Sequence, residues 1–289
     1  MFKSLSKFQY YLIFTLSLLC LWQFQIIASA KAIDDAMLIL TFDKDSMKIN
    51  GGKPVQVTDM SGNENHGLIN GKGGKSVGGD PPEIVLGKYG NALQFSGKNW
   101  VEVVDSKTLR ITDALTMTAW VKPKSIAGEQ TICTKDRGYY SQLRNGRIGN
   151  YTYNLTTPGY HESPKTIPLN QWSHLAMSWN GDELVQYLNG KKVNSVKTQG
   201  KIATTDDSIG IGAEVRIPGR GAPEWRFYTG TIDDVLVFNA GKTAAEINEI
   251  MAGEYLAVSA QGKLALTWSQ LKLKQQQGLR RGLLRGGNP

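Results

Sequence analysis

The chain has 289 residues, a formal net charge of +8 and two cysteines. Lys3 and Lys7 carry two of those charges near the start, and Lys263, Lys272, Lys274, Arg280, Arg281 and Arg285 carry six after Tyr255, where no acid follows. The stretch between is electrically balanced, so the basic total does not argue for a nucleic-acid partner.

Residues 1–30 read as an export leader. Lys3 and Lys7 precede an apolar run over 11–22, and Ala28-Ser29-Ala30 offers small residues at a cleavage position. The run is only about a dozen residues, flanked by Gln9, Gln23 and Gln25, and a span needs ~20. No stable membrane span is therefore expected after cleavage, and the mature protein is expected to be secreted, periplasmic or at the cell surface; retention of the segment as an uncleaved membrane anchor is the competing reading. Cys20 follows Leu18-Leu19, which lack the small residue of a lipoprotein site. Only Cys133 then remains, so no intrachain disulfide is available and this residue reads as a small buried hydrophobe.

Residues 31–256 are expected to form one all-β domain. Strands are predicted over 37–42, 92–95, 100–104 and 115–121, the last alternating apolar and polar residues with a period of two. Strands over 173–179, 184–188 and 193–196 follow, joined by Asn180-Gly181 and Asn189-Gly190. Asn-Gly supplies the positive φ angles of a two-residue type I′ turn, so a three-strand meander is predicted. Strands over 209–212 and 230–238 complete the set. Thr243-Ala244-Ala245-Glu246 is a capping box opening a short helix with Ile247, Ile250 and Met251 on one face. A helix of two turns is unstable alone and must dock on the sheets. Residues 257–289 form a basic, Gln-rich tail in which Leu264, Leu266 and Trp268 could add a short strand, with disorder expected beyond Gln275.

Six segments carry a family resemblance. They are Leu40-Thr41-Phe42-Asp43, the loop from Asp59 through Ser61-Gly62-Asn63 to Gly67, Gly87-Lys88-Tyr89-Gly90-Asn91-Ala92-Leu93-Gln94-Phe95, residues 115–123, Trp172-Ser173-His174-Leu175-Ala176, and Gly230-Thr231-Ile232-Asp233-Asp234-Val235. In this order, over residues 38–251, they resemble the laminin-G-like jelly-roll domains of the concanavalin A-like lectin/glucanase superfamily. The resemblance implies a two-sheet antiparallel jelly-roll sandwich, first and last strands side by side, with one short C-terminal helix. Trp120 and Trp172 are suited to fill the space between the sheets.

Two sites are expected. Once the first and last strands are neighbours, Asp43, Asp233 and Asp234 could converge, with Asp59 and Asn63 adding oxygens; calcium takes six to eight such hard ligands. The competing reading is that these side chains cap turns by accepting from backbone amides. The second site is a sugar-binding face of polar-tipped aromatics, Tyr140, Tyr151, Tyr153, Tyr160 and Trp225, with Arg144 among them and Tyr139, His161 and Tyr228 nearby. Aromatic planes stack on the apolar faces of sugar rings. Tyr151 and Tyr153 share a parity, however, and could simply be one face of a strand.

His66, His161 and His174 have no metal-ligand spacing. Asn154-Leu155-Thr156 matches a glycosylation triplet, relevant only in a eukaryotic secretory route. Glycoside hydrolysis needs two carboxylates flanking the scissile bond, and the Glu-x-Asp-x-x-Glu strand motif of the glucanases that share this fold is absent. The expected role is non-catalytic binding of a polysaccharide or glycoconjugate, with calcium as a candidate cofactor. A protein-interaction or adhesion domain binding a cell-surface protein is the alternative, and a hydrolase with dispersed carboxylates is the third. Exposure of Tyr151, Tyr153 and Trp225 separates the first two.

Overall fold

Near its two ends, the described chain lies side by side in one sheet. The computed structural model describes residues 35–71, 80–216 and 224–253. The expected leader and the tail, with its strand near 264–268, lie outside them. Strand β1 (Ala36–Leu40) pairs antiparallel with β19 (Thr229–Phe238), Leu40 opposite Val235. On its other edge β19 runs along β8 (Leu115–Pro123), and the sheet continues through β13 (Ser173–Trp179), β14 (Glu183–Leu188) and β15 (Lys191–Lys197). Where β1 leaves the edge of β19, β6 (Asn91–Ser96) takes its place and pairs in turn with β5 (Glu83–Leu86). Among the described residues this sheet has eight strands.

Among the described residues nine strands form the second sheet, in the order β12 (His161–Thr166), β11 (Arg147–Thr152), β10 (Tyr139–Arg144), β9 (Glu129–Lys135), β16 (Ile209–Ile211), β7 (Val101–Val103), β4 (Gly67–Ile69), β3 (Lys53–Val57) and β2 (Met47–Asn50). A small ribbon, β17 (Glu214–Val215) with β18 (Glu224–Trp225), stands beside it. The described residues thus form an all-β, two-sheet antiparallel sandwich with one short helix, as the resemblance implies.

Alternation builds the core. In β8, Leu115, Met117, Ala119 and Val121 point between the sheets, where they meet Leu175, Met177 and Trp179 of β13 and Ile209, Ile211, Leu143 and Ile148 of the opposite sheet. Trp179 is fully buried and its indole N–H donates to the Thr198 carbonyl at 3.0 Å, so the large ring costs no unsatisfied donor. Trp120 departs from expectation. It is buried, but its parity puts it on the outer face of the eight-stranded sheet, 5.2 Å from the ring of His174 and 6.2 Å from that of Tyr89. Trp172 is half-buried, just before β13. Trp179, Phe42, Phe95, Tyr139 and Tyr228 fill the interior instead. Cys133 lies there too, its thiol pushed up to about 12 by burial, and it behaves as the hydrophobe expected.

Turn chemistry explains the meander, with one shift. Asn189 and Gly190 both take positive φ, 50° and 74°, between Leu188 and its partner Lys191, which is the predicted two-residue turn. Asn180-Gly181 works differently. Only Gly181 takes positive φ (97°), while the Asn180 side chain accepts from the amides of Asp182 and Glu183 at 3.1 and 2.9 Å, so the turn is displaced by one residue. The helix α1 (Ala244–Met251) carries both halves of the predicted capping box and buries Ile247 and Ile250 against Ile39, Ala176, Tyr187, Leu236 and Phe238 on the outer face of the sheet.

Candidate functional site

The proposed calcium ligands separate into two places. Asp43 and Asp233 do come together, on the turn over residues 87–91. Asp233 Oδ2 accepts from the amides of Lys88 and Tyr89 at 2.9 and 3.2 Å, and Asp43 Oδ1 accepts from that of Asn91 at 2.8 Å. A Cβ on Gly87 would lie 2.5 Å from Asp233 Oδ2, and one on Gly90 2.1 Å from Asp43 Oδ1. These two glycines therefore let the backbone reach the carboxylates. Asp234, at φ 47°, sits in the irregularity where the pairing of β19 with β8 shifts.

Asp59 organises a different loop. It accepts from the amides of Ile39, Ser61 and Asn65 at 2.9, 2.9 and 3.0 Å, and Asn63 Nδ2 donates to the Ala36 carbonyl at 2.9 Å. Among the described residues no group of three or more His, Cys, Asp or Glu side chains could hold a metal ion. Asp43, Asp59 and Asp233 each accept from backbone amides, as turn caps do, while Asn63 donates to a carbonyl, and the candidates are divided between these two loops.

Four of the aromatic candidates, Tyr140, Tyr151, Tyr153 and Tyr160, come together on one surface. β10 and β11 form a hairpin closed by Asn145-Gly146, both at positive φ (49° and 77°), between the paired Arg144 and Arg147. Tyr139 and Leu143 of β10 face the core. Alternation turns Tyr140, Gln142 and Arg144 to the outer face, where Tyr140 stands opposite Tyr151. The rings of Tyr151 and Tyr153 are 4.5 Å apart, those of Tyr151 and Tyr160 5.3 Å, and Tyr140 is 5.7 Å from Tyr153. Tyr140 is buried beneath the group, its hydroxyl donating to Asp136. Tyr151, Tyr153 and Tyr160 are half-buried, so each keeps part of its surface in solvent. Tyr228 falls outside the group, in the core against Phe95. Asn150 faces inward and accepts from Gln186 of the opposite sheet at 2.7 Å, a polar tie between the layers.

Arginines hold the rings in place. The Arg144 guanidinium lies 3.8 Å from the centre of the Tyr160 ring, and Trp225 is flanked by Arg226 at 3.7 Å and Arg216 at 4.4 Å. Arg226 also reaches the Tyr160 hydroxyl at 3.4 Å. Each of these cations meets carboxylates. Arg144 pairs with Glu129 and with Glu162 at 2.8 Å; Arg226 pairs with Glu129 at 2.5 Å and Glu214 at 2.7 Å; Arg216 pairs with Glu214 at 2.8 Å and Asp136 at 3.1 Å. Glu214 has no exposed surface and also accepts from Gln142 at 3.3 Å. Burial works against the charge of Arg226, but the bonds to Glu214 and the nearby Tyr160 and Glu129 outweigh it and raise its pKa. Tyr160, chiefly through burial, is pushed up to about 12 and keeps its proton at neutral pH.

The sequence reading named the rings and Arg144 but missed Glu129, Asp136, Gln142, Glu214, Arg216 and Arg226. A usable signal was present in Asn145-Gly146, a third hairpin turn flanked by Leu143 and Ile148. The bond between Glu214 and Arg216 is also local enough to suspect from the sequence.

A laminin G family model, described as the concanavalin A-like lectin/glucanases superfamily, matches residues 95–248, more than half the chain. The chain belongs to that superfamily. No curated protein matches it. Among solved structures, domain 4 of AbnA, a GH43 extracellular arabinanase from Geobacillus stearothermophilus, in complex with arabinotriose, is similar at 20% identity with a TM-score of 0.56, covering 75% of this chain and 98% of that one. The binding domain of Paraclostridial Mosquitocidal Protein 1 is similar at 15% identity and a TM-score of 0.54, with 76% of this chain and 52% of that one covered. The botulinum neurotoxin serotype D ligand binding domain, in complex with N-acetylneuraminic acid, is similar at 19% identity and a TM-score of 0.50, with 78% and 53% covered. The chain spans about half the length of these toxin domains. At such identities the likeness shows the sandwich fold alone. No helix among the described residues is long and apolar enough to cross a membrane.

Proposed function

We propose that this protein is an exported, non-catalytic lectin-like domain that binds a neutral glycan on the outer face of β10 and β11. The observation that carries the reading is the half-buried group of Tyr151, Tyr153 and Tyr160 beside Trp225, held by arginines whose charges are met by Glu129, Asp136, Glu162 and Glu214. Partly exposed, preordered rings offer flat apolar surfaces for pyranose or furanose faces, and phenol groups at their edges bond hydroxyls. The neutralised arginines support a neutral sugar, because an acidic one would have to compete with carboxylates already in place. Two of the similar structures carry a saccharide in their complexes, which agrees with this use of the fold.

Hydrolysis is disfavoured by the same geometry. A glycosidase sets two carboxylates across the scissile bond, whereas the carboxylates of this face meet guanidinium groups. The leader-like residues 1–30 support export.

Affinity electrophoresis through gels containing arabinan, xylan, mixed-linkage glucan or dextran tests the reading. Wild type is expected to be retarded by at least one neutral polymer, and Tyr153→Ala and Trp225→Ala to be retarded less by it. Migration unaffected by every polymer overturns it, and the face would then be better explained as a protein-adhesion surface.

A further inference from the structure

Away from the tyrosine face, a cleft lies where the two sheets approach at another edge. The hairpin of β2 and β3 forms one wall, and residues 80–82 with β5 and β6 form the other. Together they enclose a cleft of about 880 Å³. Lys44, Lys53, Lys98 and Lys124 line it, against the two carboxylates of Asp80 and Glu83. Asp80 is held by Lys53 at 2.6 Å, and Glu83 accepts from Gln94 at 3.1 Å. Lys44, Lys98 and Lys124 are exposed, and among the described residues none makes an ion pair or side-chain hydrogen bond with another residue.

From this we infer that the cleft is a binding site for an acidic polysaccharide, one that carries carboxylate or sulfate groups along its chain. Three uncompensated ammonium groups around one depression repel each other, and an anionic ligand relieves that repulsion. A cleft with low-dielectric walls also focuses the field of its charges, which raises the local concentration of anions. Pro81 and Pro82 give the lining rigid apolar surface for a sugar ring to rest on. Flexible ammonium groups suit charges distributed along a chain, since they act as mobile point charges and not as fixed forks. The concave shape favours a polymer strand over an anionic membrane, because a bilayer is flat and is met by protruding lysines. The site goes beyond the neutral-glycan reading and uses none of its residues.

The test is isothermal titration of the full chain with polygalacturonate, dextran sulfate and uncharged dextran. Wild type is compared with the combined variant Lys44→Gln/Lys98→Gln/Lys124→Gln and with Tyr153→Ala. Both proteins of the first pair keep the same chain ends, so the six basic residues after Tyr255 cancel from their difference. The combined variant is expected to bind at least one of the acidic polymers roughly tenfold or more weakly, an effect that salt at ~0.5 M abolishes. Its thermal midpoint and any neutral-glycan binding should be unchanged, since the three side chains have no partners among the described residues to lose. Tyr153→Ala should bind the acidic polymers as wild type does, which separates this site from the tyrosine face. Equal acidic-polymer affinity in wild type and the combined variant overturns the inference. So does binding of neither acidic polymer, or lysine-dependent binding of phosphatidylglycerol vesicles without binding of the polymers.

Discussion

Two groups of buried carboxylates in this molecule have opposite kinds of partner. Asp43 and Asp233 receive backbone amides from the turn over residues 87–91. Glu214 and Asp136, beneath the tyrosine face, receive guanidinium and side-chain groups. The first pair fastens the start of the chain and the last strand to one turn, so it acts on the fold as a whole. The second pair fixes side chains that themselves stack on rings, so it acts on the shape of one surface. A buried carboxylate is therefore informative only once its donors are known: amide donors point to architecture, and guanidinium donors beside aromatic rings point to a preordered face.

The comparison predicts that the two groups separate in experiment. Glu214→Ala should give the largest loss, about 3–5 kcal/mol of stability, because it removes the fully buried carboxylate shared by Arg216 and Arg226 and leaves each guanidinium with one other carboxylate, Asp136 or Glu129. It should also abolish glycan retention, and urea denaturation with affinity electrophoresis reads both. Asp233→Ala should cost about 2–4 kcal/mol by orphaning the amides of Lys88 and Tyr89. Any glycan affinity should persist in the fraction that remains folded. Loss of affinity in folded Asp233→Ala protein would show that the two regions are coupled, against the comparison.

His174 supplies a pH dependence that belongs to neither group. It is buried beside Trp120, and desolvation lowers its pKa from 6.5 to about 3. The folded value lies below the unfolded one, so the unfolded chain takes up the proton first as pH falls. This contribution is complete above pH 6.5 and declines by about 1.4 kcal/mol per pH unit down to the folded value. Thermal melts between pH 7 and 4 should show the decline, and His174→Leu should flatten that part of the profile. The smallest effect is expected for Tyr153→Ala. It should weaken glycan binding by about 1 kcal/mol, roughly fivefold in Kd, with little change in urea midpoint because the ring is half-exposed.

Legibility in the sequence followed the local character of each signal. Strands β1, β8, β13, β14 and β19 were visible because alternation and long apolar runs report burial directly. The helix was visible because its capping box is written in four adjacent residues. Strands β9 to β12 were not marked, although they build the candidate site. Their outer face is polar and aromatic, and Asn145, Gly146, Gly149 and Asn150 in and before β11 give that stretch the composition of a loop. Trp120 was assigned to the interior from its size, and parity sent it to the outer face.

The amino-acid sequence alone determined the sandwich, the meeting of the first and last strands, and the set of rings from which a binding face could be drawn. These depend on periodicity, turn residues and motif order, all of which act over short stretches of chain. Only the tertiary structure decided that Asp43 and Asp233 clasp a turn, that Glu214 sits between two arginines, and that four lysines share a cleft. In each case the partners lie on different strands or loops, and the face a side chain meets is set by register between strands, which spacing along a single chain does not contain.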